Sequence, residues 1–341
     1  MLVTTLRFIS VHHAFVVPLS FTALGWPGLQ AHQALTRSPH HHHHHSSLPR
    51  KQNANGLYSV NPFKAHSDPT VERVVTLKIL TAISYIVVVV HAFYYTFAKP
   101  HEGKGPRHTI WGQNSAHHTP FSMNPIITSI YWIVLFILQI GYSWHLYSAE
   151  RETVKAATNV GGHFIVHNLF LFGFIQLWVR SFFWLGELLL VLNFFNLSAA
   201  YFRHSTTPRA IHIAVVSGPL AWNFVALYWC GAAAVHAHNL PARIVANIFI
   251  WGILVYGGFF LVVYKDYTMG FELSVLAAAI GVSQFFTKII AFQWIFAFVI
   301  MTLLFVLSLA VGVPGFFGQD PFKRGEIVSE DRERAPLLAD D

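Results

Sequence analysis

Residues 160–202 read VGGHFIVHNLFLFGFIQLWVRSFFWLGELLLVLNFFNLSAAYF. Two apolar runs, Val160–Val179 and Phe183–Phe202, flank the short connection Arg180–Phe182. A helix needs roughly 20 apolar residues to cross a hydrocarbon core, and each run has that length. Neither alternates apolar and polar residues with a period of two, which a lipid-facing barrel strand requires. The stretch is therefore predicted to be a hairpin of two membrane-spanning helices.

The pattern extends along the chain. Further apolar segments fall at 74–97, 125–147, 211–235, 243–264, 269–286 and 291–313, giving about eight spans and an all-α, polytopic transmembrane bundle. Short connections such as VRSF and HAHNLP predict that consecutive helices are antiparallel neighbours. The longest connection, residues 99–125, mixes Gly, Pro and His with Trp111 and Phe121; it suits either a lid over the bundle or an interfacial loop.

Composition supports the same class. The 341 residues are 54% hydrophobic and only 11% charged, against about 25% charged in a soluble domain. The formal charge of +7 sits largely at the ends of apolar runs, so nucleic acid is not an expected partner and the lipid bilayer is. Cys230 is the single cysteine, which excludes an intrachain disulfide and a thiolate redox pair.

Arg151, Lys155, Arg203, Arg209 and Lys265 share a side with both termini. Lys99, Lys104, Arg107, Arg180, Arg243 and Lys288 lie opposite. The bias places the termini in the cytosol. Residues 1–67 contain no Asp or Glu and carry the run His40–His45; they are predicted to be a disordered extension, the run a low-complexity repeat. The transmembrane domain is assigned to 68–315 and a disordered cytosolic tail to 316–341. In that tail Glu333, Leu337 and Leu338 fit an acidic dileucine pattern, which points to a sorting adaptor and an endomembrane such as vacuole, endosome or Golgi.

Polar groups inside the spans need a partner or a purpose. His163 and His167 lie four apart on one helical face, with Asn168 beside them; Asn193 and Asn196 follow in the next span. Glu187 is read as the one carboxylate well inside an apolar run: a proton carrier or a ligand anchor, paired with Arg180, or else a carboxylate one turn from the interface paired structurally with a nearby cation. Gly218 and Pro219 kink the fifth span, where Trp222 and Asn223 follow. The small residues of SVLAAAIGVS in the seventh span read as a helix–helix contact. No hydrolase, kinase, dinucleotide or phosphate-loop motif is present, so an enzyme is unsupported. No cofactor and no resident metal are implied.

The segments NPFKAHSDPTVERVVTLKILT, TPFSMNPIITSIYWIVLFILQIGYSWHLY, YFRHSTTPRAIHIAVVSGPLAW and EDRERAPLL resemble a fungal family of uncharacterised multi-pass membrane proteins, over roughly residues 61–341. The first five spans also resemble the translocator-protein, or tryptophan-rich sensory protein, family. The similarity rests on Lys99, Pro100 and Trp111 in the first loop, Asn168, Glu187, and the Pro219–Trp222 spacing. Three further spans and a first loop poorer in Trp depart from that pattern. The resemblance implies a five-helix bundle holding a porphyrin- or sterol-like ligand under its first loop.

Three functional readings follow. One is a binding protein for a small apolar ligand, with Trp111, His167, Asn168, Glu187, Pro219, Trp222 and Asn223 at its site. The second is a proton-coupled secondary transporter of an endomembrane. The third is a structural or trafficking membrane protein.

Overall fold

The computed structural model describes residues 71–103, 105–148 and 150–316. The extension with His40–His45 and the tail with Glu333, Leu337 and Leu338 lie outside the described residues.

The described chain is built from helices α1 (Val71–Phe97), α2 (Ile110–Ala116), α3 (Pro125–His145), α4 (Arg151–Val179), α5 (Phe183–Arg203), α6 (Arg209–Ala234), α7 (Leu240–Val263), α8 (Tyr267–Thr287) and α9 (Gln293–Phe316). All but the short α2 are long and apolar enough to cross a membrane, eight in total. This is an integral membrane protein with an all-α, polytopic bundle.

Polar residues at the connections start the helices. The Asn124 side chain accepts from the amides of Ile126 and Ile127, with Pro125 in the first turn where it has no amide to lose. Asn239 caps α7 through Ala242, and Asp266 caps α8 through Met269. The start of α4 departs from the apolar run: the helix begins at Arg151, because its first turns carry Arg151, Glu152 and Lys155. Polar flanking turns are invisible to an apolarity count.

Burial ranks the helices. Only 22% of the apolar window of α1 is buried, against 78% for α6. The fifth span is thus the central post. α5 and α8 pack directly on it, and α3 meets its first half. α1 leans on α4, while α7 and α9 gather round α8. The small residues of α8 make the α8–α9 contact: a Cβ on Gly281 would stand 2.9 Å from the Phe298 ring, and Ser274 Oγ donates to Met301 O at 3.0 Å. Ile79, Ile83, Ile86 and Val90 of α1 point outward as an apolar stripe suited to lipid.

Sequence order is not always packing order. α1 packs chiefly on α4 rather than on α3, the next span, because the long first loop does not force a hairpin. α6 and α7 are joined by a short turn but held apart by large side chains. The Phe224 and Tyr256 rings stack between them with centroids 3.9 Å apart.

The first loop covers one end of the bundle. Thr109 caps α2 through Gly112, and Gln113 and Asn114 are buried beneath it. Gln113 Nε2 donates to Trp178 O, Gln284 Nε2 to Thr119 O and Gln293 Nε2 to Pro120 O. Those bonds tie the loop to α4, α8 and α9, and Trp229 Nε1 ties it to α6 by donating to Asn114 Oδ1 at 2.9 Å.

Candidate functional site

The polar residues of the third, fourth and fifth spans meet in one buried array. His163 Nδ1 lies 3.0 Å from Asn196 Oδ1, and Asn196 Nδ2 returns to His163 O at 3.0 Å. Asn196 also approaches Asn193 Oδ1 at 3.4 Å. Asn193 Nδ2 then reaches His167 Nδ1 at 2.9 Å and Asn223 Oδ1 at 3.3 Å. Asn223 finishes the series by donating to Leu190 O at 2.8 Å. An amide nitrogen can only donate, so Nδ1 of His167 accepts and its proton sits on Nε2, which has no hydrogen-bonding partner. The helical period places these groups together: 163 and 167 are one turn apart on α4, as are 193 and 196 on α5.

Glu187 stands nearer the start of α5, between Asn193 and the first loop. It is 4% exposed, and neither carboxyl oxygen has a hydrogen-bonding partner. Gly231 of α6 leaves room for it; a Cβ there would lie 3.1 Å from Glu187 Oε1. Cys230 adjoins it, but its thiol is directed to Phe183 O at 3.3 Å. The sequence offered Arg180 as a cation for Glu187. Arg180 instead bonds Gln176 Oε1 at 2.7 Å and the Tyr95 hydroxyl at 3.3 Å, drawn to the neighbouring turn of its own helix.

A second polar group lies at the other end of α6. Residues 213–217 form a π-helical turn, in which the Gly218 amide bonds Ile213 O. Pro219 has no amide to give, and this widened turn absorbs the mismatch. Neighbours take up the loosened carbonyls: Gln139 Nε2 donates to Ala214 O at 3.1 Å and Tyr131 to Gly218 O at 2.6 Å. Ser217 Oγ donates to Glu272 Oε1 at 3.0 Å, leaving Oε2 unpartnered. Glu272 therefore corrects the reading that Glu187 alone is a carboxylate within a span. Asp266 is fully buried and accepts from the Tyr201 hydroxyl at 2.6 Å. The His212 ring packs edge-on to Tyr201 at 4.8 Å, with neither nitrogen bonded.

The remaining candidates divide. Asn168 turns away from the array and donates to Ser84 Oγ on α1 at 3.2 Å. Trp222 packs against Trp132 and Trp229 with centroids 5.5 and 5.6 Å apart, and its indole nitrogen is buried without an acceptor. Trp111 lies 5.8 Å from Trp229 on the loop side. Trp178 and Trp229, with centroids 4.1 Å apart, occupy the space between the loop and the array. The void lined by His118, Pro120, Arg243 and Gln293 holds about 10 Å³, the space of one water.

His117 joins His236 and His238 on the loop side, a cluster the sequence reading passed over although HAH at 236–238 was its signal. Burial, and then the neighbouring His236, His108 and His238, lowers the His117 pKa from its ordinary 6.5. Burial, then Arg243, Lys288 and His238, does the same for His118.

Comparison with known proteins gives a family match. Residues 243–338, from α7 into the tail, match a family described as "Fungal protein of unknown function (DUF1774)". That part of the chain is similar to an uncharacterised fungal family. No curated protein and no solved structure matches.

Proposed function

We propose that the protein is a proton-coupled carrier, with Glu187 as the group that takes up and releases the proton. The observation that supports it best is Glu187 itself: a buried carboxyl with no cation beside it and only the Cys230 thiol near its oxygens, on the same helix as a hydrogen-bonded series of His and Asn side chains. An intramembrane acid without a structural partner is costly, and such residues mark ion and proton pathways. The His–Asn array lies further along α5 and is not bonded to Glu187, and the π-helical turn with Glu272 lies at the far end of α6. π-turns are frequent at functional sites. The basic residues favour cytosolic termini, and the dileucine pattern favours an endomembrane. Vesicles loaded with a pH-sensitive dye and offered a panel of solutes test the reading. A solute-elicited internal pH change supports it, and none across the panel contradicts it.

A second reading is a small apolar ligand beneath the first loop, as the resemblance to the translocator-protein family implies. The unpartnered indole of Trp222, packed on Trp229, favours it. In the closed bundle Trp178 and Trp229 fill that space, so a ligand would have to displace them. Mass spectrometry of the detergent-purified chain decides: a stoichiometric compound lost in Trp222→Ala supports this reading.

A further inference from the structure

His117 at the end of α2 meets His236 and His238 in the α6–α7 turn. One ring nitrogen from each lies within 4.8 Å of the others. We propose that these three imidazoles bind a divalent transition ion of the zinc type, with the fourth coordination position open on the loop side of the bundle.

The donor set selects the ion class. Imidazole suits zinc and copper, while magnesium and calcium take oxygen ligands. With zinc–nitrogen bonds of about 2.0–2.1 Å, tetrahedral ligands stand roughly 3.4 Å apart. Closing from 4.8 Å needs a shift of about one to two ångströms by rings that are half-buried or exposed.

Two features prepare the rings. His238 Nδ1 lies 2.8 Å from the His118 carbonyl, which can only accept. The proton is thus fixed on Nδ1 and the Nε2 lone pair is left for a metal, the arrangement usual behind metal-bound histidines. His236 has φ of +52°, a conformation uncommon outside glycine. The turn around it is held by Ala237 N to Ala232 O at 3.0 Å and His238 N to His236 O at 2.8 Å. A strained residue retained in an exposed turn is a pointer to function. The His117 ring is steadied edge-on against Phe183 at 4.9 Å. An ion there would fasten α2 to the α6–α7 turn and hold the first loop down. The inference uses no residue of the proton array.

The test uses the full chain with His40–His45 replaced by Asn, so that the run contributes no binding. The protein is stripped with chelator in mild detergent and titrated calorimetrically with Zn2+ alone. One ion per chain is expected. His236→Asn, which tolerates the left-handed turn, and His117→Gln should each weaken affinity at least about tenfold. His145→Ala, at the opposite end of α3 from the loop, should leave it unchanged. Unfolding temperature gives the second readout. Zn2+ should raise it in the parent and leave both ligand variants at their metal-free values. No Zn2+ uptake by the parent, or equal affinity in His236→Asn and His117→Gln, overturns the proposal.

Discussion

Asn193 Nδ2 lies 2.9 Å from Nδ1 of His167 across the α4–α5 interface, both residues at most 2% exposed. The same amide group faces Asn223 and Asn196, so one residue joins the polar side chains of three turns.

Asn193→Leu keeps the volume but leaves His167 Nδ1 and Asn223 Oδ1 without their donor. A buried acceptor left unsatisfied costs about 1–3 kcal/mol, while hydrogen bonds between membrane helices average about 0.6 kcal/mol. The expected loss is about 1–2 kcal/mol in detergent unfolding. A change below a few tenths would show that the array adds nothing to stability.

Gly218→Ala tests the π-helical turn. The new Cβ would stand 2.5 Å from Ile213 O and 2.6 Å from Leu135 Cδ1, and overpacking of this kind costs about 1–3 kcal/mol. Gly141 on α3 is the control, with nothing within 4 Å of its Cβ position. Gly141→Ala should be neutral or stabilising by up to about 1 kcal/mol. Equal unfolding temperatures for the two variants would contradict the packing described for α6.

Trp229→Phe removes the donor to Asn114 Oδ1 and keeps most of the ring. Amide hydrogen exchange in residues 98–124 should become faster, with exchange in α8 and α9 unchanged. Unaltered protection of the loop would mean that its other ties suffice.

The family match extends through residue 338 and so covers Glu333, Leu337 and Leu338. Changing both leucines to Ala should move a fluorescently tagged chain from internal membranes to the cell surface. An unchanged distribution removes the sorting reading.

The span pattern was legible because roughly 20-residue apolar runs have one stable solution in lipid. The polar first turns of α4 were not, since Arg151 and Lys155 look like loop residues to any apolarity measure. Within the site, His163 with His167 and Asn193 with Asn196 could be placed on shared faces from helical periodicity. That Asn168 would face α1 instead depends on how α1 packs on α4, which the sequence does not state. Arg180 was near Glu187 in sequence, yet the nearer Gln176 and Tyr95 claimed it. Glu272 was overlooked because it sits in the first turns of an apolar run, where an acid reads as an end marker. The His117–His236–His238 cluster joins residues over a hundred positions apart, so only the fold could assemble it.

The central claim is that Glu187 carries a proton. Solute-driven internal pH change in dye-loaded vesicles, compared between the parent chain and Glu187→Gln at equal reconstitution and equal unfolding temperature, tests it most directly. The account predicts a pH change in the parent and its loss, by at least about tenfold in rate, in the variant. An undiminished change in Glu187→Gln would contradict it.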